Sequence, residues 1–158
     1  MGLPGDLIKL AAEVLNLDKK KPRQVVLRRS VSTAYYALFH LLSEDFANIW
    51  RTEDQRSRVA RNLTHTRMFE ASNTIISRLK KLGSYPSPNL SMLESVTRAF
   101  ILAQQSRQEA DYNAESKLTK TEALALIDQV KTAFENWRKV KNTNEAKEFL
   151  YQLHFKDR

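Results

Sequence analysis

The stretch VSTAYYALFHLLSEDFANI, residues 31–49, decides the fold. Val31, Tyr35, Leu38, Leu42, Phe46 and Ile49 recur at i, i+4, i+7, i+11, i+15 and i+18, which traces one apolar stripe of a long helix. The pattern predicts helix over 23–50. A tyrosine pair and a histidine interrupt it, and the helical spacing splits the pair. Tyr35 lies on the stripe, whereas Tyr36 falls with Arg29, Thr33 and His40 at i, i+4, i+7 and i+11 on a second, polar face. A tyrosine hydroxyl one turn before a histidine is placed to hydrogen-bond it and orient its ring. The same atoms equally suit a satisfied polar seam between two helices.

The helical period continues down the chain. Val96, Phe100 and Ala103 repeat it, as do Leu124, Ile127, Val130 and Phe134. Helix starts are marked by an oxygen acceptor three residues before a carboxylate: Ser91 with Glu94, Thr119 with Glu122, Asn142 with Glu145. Thr52 with Gln55 is a further pair. The breaks are Pro4-Gly5, Pro22 and the cluster GSYPSPN, residues 83–89. No segment alternates as a strand must. The spacing predicts helices over 6–17, 23–50, 54–62, 65–82, 90–110, 120–141 and 143–154. The expectation is an all-α, single-domain antiparallel helical bundle over residues 1–142, with a short tail helix in 143–158.

A chain of 158 residues is long enough for one proper core. It has no cysteine, which excludes disulfides, thiolate zinc sites and cysteine nucleophiles. The three histidines show no metal-ligand spacing, and the three glycines form no phosphate loop, so neither a metal nor a bound cofactor is expected. No apolar run reaches the ~20 residues of a membrane span. The first residues, MGLPGDLIKLAAEVLNL, lack a basic start and are interrupted by Asp6 and Glu13. The expectation is a cytoplasmic protein with no membrane partner.

Net charge is +8 and unevenly spread. Residues 1–81 hold 15 Lys and Arg against 8 Asp and Glu, residues 82–158 only 11 against 10. Such asymmetry favours a polyanion, nucleic acid being the commonest, with Arg28, Arg29, Arg58, Arg61 and Arg67 as the candidate contacts. A solvated basic surface is the plain alternative.

Two more clusters carry chemistry. His65 lies in RVARNLTHTR, seven residues after Arg58 and four after Arg61. Histidine with arginine suits metal-free RNA cleavage, the imidazole exchanging the 2′-hydroxyl proton while guanidinium steadies the phosphate charge. In RQEADYN, residues 107–113, Arg107 and Asp111 are i and i+4, with Tyr112 just before the break. A carboxylate there faces the negative end of the helix dipole, which suggests that something else holds it.

Together these segments resemble the HEPN (higher eukaryotes and prokaryotes nucleotide-binding) family, in a small prokaryotic branch. The resemblance is carried by LRRSVSTAYYALFH (27–40), LTHTRMFEAS (63–72) and SRQEADYN (106–113), and spans residues 6 to 140. It implies a helical bundle that commonly forms homodimers. It also implies a setting in toxin–antitoxin or antiviral systems, sometimes beside a minimal nucleotidyltransferase partner. Many members are metal-independent endoribonucleases whose signature is an arginine, four to six intervening residues, then a histidine. Arg107 resembles the signature arginine, but ADY stands where the histidine is expected. Two expectations follow. One is a module that binds RNA, a nucleotide or a partner protein, with Tyr36 and Asp111 in a polar network. The other is an endoribonuclease using His40, His65, Arg107 and Tyr112 in a cleft between the second, fourth and fifth helices.

Overall fold

The computed structural model describes residues 2–61, 64–81 and 87–155. Seven helices follow in order: α1 (Leu3–Leu15), α2 (Gln24–Ala47), α3 (Glu53–Arg61), α4 (His65–Lys81), α5 (Pro88–Tyr112), α6 (Lys120–Val140) and α7 (Asn144–His154). Among the described residues there is no strand, and no helix is long and apolar enough to cross a membrane. The chain is an all-α helical bundle.

α2 is the centre of it. It contacts α1, α3, α5, α6 and α7, and its residues 30–39 are buried except for the half-buried Tyr36. The sequence stripe is the reason: Val31, Tyr35, Leu38 and Leu42 are all at the core, joined by Phe46. The stripe stops there. Ile49 is 51% exposed because α2 ends at Ala47 and the chain turns at Asn48. On α6, Leu124 is likewise exposed; the inner face runs through Ala123, Leu126, Ile127, Val130, Ala133 and Trp137, with Phe134 half-buried at its edge. Leu126 and Trp137 show that the observed face is rotated slightly from the predicted one. α7 presents Ala146, Phe149, Leu150 and Leu153 to the same core as the rest.

The helix ends test the capping chemistry. Thr119 and Glu122 form the reciprocal box predicted for them, Thr119 Oγ1 accepting from the Glu122 amide and Glu122 Oε2 from the Thr119 amide. Thr52 and Gln55 exchange the same two bonds before α3. Two assignments move. α5 is capped by Ser87, not Ser91, because Pro88 fits the first turn, where its missing N–H is not needed. α7 is capped by Thr143, not Asn142. Pro4 likewise opens α1 instead of preceding it, so that helix begins earlier than predicted. Residues 83–86 of the predicted turn cluster, and the predicted ends at 62 and 82, lie outside the described residues or their boundaries.

Polar side chains tie the helices where burial leaves no water. Ser30 Oγ donates to the Ala11 carbonyl of α1 at 2.7 Å, and Trp137 Nε1 on α6 donates to Asp45 on α2 at 2.6 Å. Gln24 both donates to and accepts from the Leu118 backbone ahead of α6. Most consequential is Arg28. Its Nη1 donates to the carbonyls of Ala110 (2.9 Å) and Asn113 (2.8 Å), and its Nη2 to those of Ala114 (3.3 Å) and Ser116. One guanidinium thus closes the carboxyl end of α5, whose last carbonyls have no intrahelical partner. Arg28→Ala should lower the unfolding free energy by about 2–3 kcal/mol, because four charge-assisted bonds, two of them part-buried, are lost together. Arg28→Lys should restore only a fraction, since an ammonium lacks the planar fork. Urea denaturation checks both; a loss under about 0.5 kcal/mol for the alanine variant would show that the clamp is not holding the turn.

Candidate functional site

The clamp fixes the last turn of α5 against α2, and that register sets the site. Arg107 on α5 reaches back to α2, where its Nη2 donates to the Tyr36 hydroxyl at 3.2 Å. Nη2 also donates to the Tyr112 hydroxyl at 3.4 Å, and Nε donates to Asp111 Oδ2 at 3.1 Å. The guanidinium carbon lies 5.5, 5.5 and 5.4 Å from the ring centroids of Tyr35, Tyr36 and Tyr112. A cation held among three aromatic faces is stabilised by their quadrupoles. The Arg107 side chain is only 11% exposed, so these contacts replace most of its water.

Asp111 is the carboxylate that the helix dipole disfavours, and two groups hold it. Besides Arg107, Ser32 Oγ on α2 donates to the same Oδ2 at 3.2 Å. The expected polar network of Tyr36 and Asp111 therefore exists, with Arg107 as its hub.

The imidazole of His65 opens α4 on the other side of Tyr35. Its Nδ1 lies 2.5 Å from the Tyr35 hydroxyl, and its ring lies 4.1 Å from that of Phe39, centroid to centroid. Burial raises the Tyr35 phenol well above its ordinary range, so Tyr35 keeps its proton at neutral pH. When that proton points at Nδ1, the imidazole carries its own on Nε2. Burial first, then the positive charge of Arg107 and of His40, pushes the His65 imidazole below its ordinary value of 6.5. His65 is thus a neutral, oriented imidazole at pH 7.

His40 is nearby but not joined. Its ring is 6.4 Å from Tyr36 and 5.5 Å from Phe39, and among the described residues it makes no hydrogen bond. The bond expected between Tyr36 and His40 does not form; the Tyr36 hydroxyl instead accepts from Arg107. Glu44 on the same helix feels the charge of His40, which opposes the upward push of burial on its carboxyl. The site thus collects His65, Arg107, Tyr112, Tyr36 and Asp111, with His40 at its margin.

The arginines are dispersed. Arg28 is half-buried, and its guanidinium donates to four backbone carbonyls at the end of α5 and just beyond it. Arg29 is exposed on α2, and Thr33 donates to its carbonyl within the helix. Arg58 pairs with Asp54 at 3.5 Å on α3, and Arg61 ends that helix in solvent. Arg67 lines a separate groove of about 360 Å³ between α4 and α7, with Glu70, Arg78, Gln152 and Phe155. The charges felt at His65 are those of Arg107 and His40. Among the described residues no three His, Asp or Glu gather as metal ligands.

Sequence reasoning missed Tyr35, Ser32 and Phe39. Tyr35 is fully buried on the core stripe, as expected, yet its hydroxyl is the partner of His65. The signal was the choice of tyrosine over phenylalanine on a buried stripe, since a buried hydroxyl requires a partner.

Comparisons with protein-family models, with curated proteins and with solved structures find no match for this chain.

The depressed His65 imidazole has a measurable sign. Below about pH 6.5 the unfolded chain binds a proton that the folded chain resists, so this residue's share of stability is present above that pH and lost as pH falls. NMR titration should place His65 below 6.5 and move it upward in Arg107→Gln. His65→Gln should flatten the loss of stability between about pH 7 and 5. A His65 titrating at or above the ordinary imidazole value would contradict the buried geometry.

Proposed function

We propose that this chain is a HEPN-like helical module that binds RNA at the Arg107 cluster, in a toxin–antitoxin or defence setting. The observation that carries the reading is convergence. Residues from three separate segments, 27–40, 63–72 and 106–113, meet within contact distance: Tyr36 with Arg107 at 3.2 Å, Ser32 with Asp111 at 3.2 Å, and Tyr35 with His65 at 2.5 Å. These are the segments on which the HEPN resemblance rests. A guanidinium among tyrosines offers both phosphate pairing and aromatic contact, the two means by which proteins hold RNA outside duplexes. The basic balance of residues 1–81 supplies long-range attraction. Arg29, Arg58, Arg61 and Arg67 are its peripheral contributors. A homodimer and a nucleotidyltransferase-type partner belong to the same proposal through the resemblance.

A second reading, a metal-independent endoribonuclease, is favoured by the state of His65. A neutral imidazole beside a guanidinium suits proton abstraction from a 2′-hydroxyl. The 2′-oxygen then bonds to phosphorus, the bond from phosphorus to the 5′-oxygen breaks, and the leaving oxygen takes a proton from a nearby acid. His40, whose charge is felt at His65, is the candidate acid for that step. Asp111 weighs against this reading, because it neutralises part of the Arg107 charge that the phosphate needs.

Fluorescence anisotropy with labelled RNA tests the binding reading. Arg107→Ala should weaken binding by at least about tenfold, the worth of one charge-assisted contact. Circular dichroism and thermal denaturation of the variant guard against misfolding. Affinity unmoved by a folded Arg107→Ala protein would refute the site. Incubation of total RNA with the protein, with and without EDTA, tests the second reading. The enzyme would leave 2′,3′-cyclic phosphate ends in both, and His65→Ala would abolish them. Intact RNA would leave binding alone.

A further inference from the structure

Tyr112 closes α5 and is 74% exposed, more than any other large apolar or aromatic side chain among the described residues. An exposed ring at a helix end would ordinarily sample several rotamers. This one is held. Arg107 Nη2 donates to its hydroxyl at 3.4 Å, and the guanidinium lies over the ring at 5.4 Å. The backbone on either side of it is fixed as well, since Arg28 binds the carbonyls of Ala110 and Asn113. A ring with a cation over it, a tethered edge and most of its surface in solvent is a pre-organised stacking surface.

We infer that Tyr112 is the platform on which an unpaired nucleobase stacks, so that the ligand of this site is single-stranded RNA. The inference rests on the RNA-binding reading above and adds which part of the RNA is recognised. Stacking on an aromatic ring is how proteins hold splayed bases, and a base inside a duplex is not free to do it.

The surrounding charges separate a base from bare phosphate. Glu109, Asp111 and Glu115 lie within three positions of Tyr112 in the chain. A polyanion gains little beside three carboxyl groups, whereas a neutral base meets no such repulsion. One cationic edge remains for the neighbouring phosphate. The Nη1 group of Arg107 makes no hydrogen bond among the described residues. A base on Tyr112 with its phosphate near that edge would satisfy both groups without displacing Asp111.

The test uses the full chain and a short oligoribonucleotide carrying 2-aminopurine at one position. Its partners are the same strand with an abasic residue there and the corresponding duplex. The single strand should bind with quenching of the 2-aminopurine, and Tyr112→Leu should weaken binding by about 5- to 100-fold and remove the quench. Tyr112→Phe should keep both, because the ring remains. Dextran sulfate, a polyanion without bases, should not protect Tyr112 from chemical iodination, whereas the single strand should.

The outcomes separate the two readings. If Arg107→Ala and Tyr112→Leu both leave RNA affinity unchanged, or if no RNA binds, the RNA-binding site itself fails and the platform with it. If Arg107→Ala weakens binding but Tyr112→Leu and the abasic strand do not, the platform alone is overturned. Tighter binding of the duplex than of the single strand would also overturn it.

Discussion

A helix surrounded by other helices cannot leave its polar atoms to water, and α2 is in that position over residues 30–39. Every hydroxyl it carries inward must find a protein partner. Ser30 finds a carbonyl of α1, Ser32 finds Asp111, Thr33 bonds back to its own helix, Tyr35 meets His65 and Tyr36 receives Arg107. Removing one partner leaves a buried group unpaired, which costs more than the bond itself contributes. The register of α4 and α5 against α2 is therefore set by polar pairing as much as by apolar packing. The cluster around Arg107 is the point at which these requirements meet.

The fold was legible because its signal is periodic and local. Val31, Tyr35, Leu38, Leu42 and Phe46 recur at helical spacing, and within α2 their burial follows that spacing. Thr119 with Glu122 was legible for a similar reason, because both partners lie within one turn. Ends were harder. Ser87 and Ser91 are both plausible caps before the apolar run of α5, and only the fit of Pro88 in the first turn decides between them. Ile49 and Leu124 keep the spacing but lie where the helix has ended or has rotated its face outward, and spacing carries no information about either.

The site was legible residue by residue, but of its pairs only Arg107 with Asp111, one turn apart, was legible as well. His65, Arg107, Tyr112 and Asp111 stood out as types that a plain core does not need. Their partners depend on contacts between segments 30 to 80 positions apart, which no local pattern encodes. Tyr36 illustrates the limit. Its neighbour one turn on is His40, yet the hydroxyl goes to Arg107 on another helix. Arg28 and Arg29 are adjacent and indistinguishable in sequence, while one is half-buried against the turn after α5 and the other lies in solvent.

The Arg28 clamp has a consequence for the conditions under which the site keeps its shape. Its acceptors are peptide carbonyls, which do not titrate. Salt screens a pair of opposite ions far more than it screens short bonds from a partly buried cation to fixed dipoles. Surface pairs such as Arg58 with Asp54 weaken in acid or brine, but this attachment has no anionic partner to neutralise. The end of α5 is thus moored to α2 by a link indifferent to ionic surroundings, and the ring of Tyr112 inherits that steadiness.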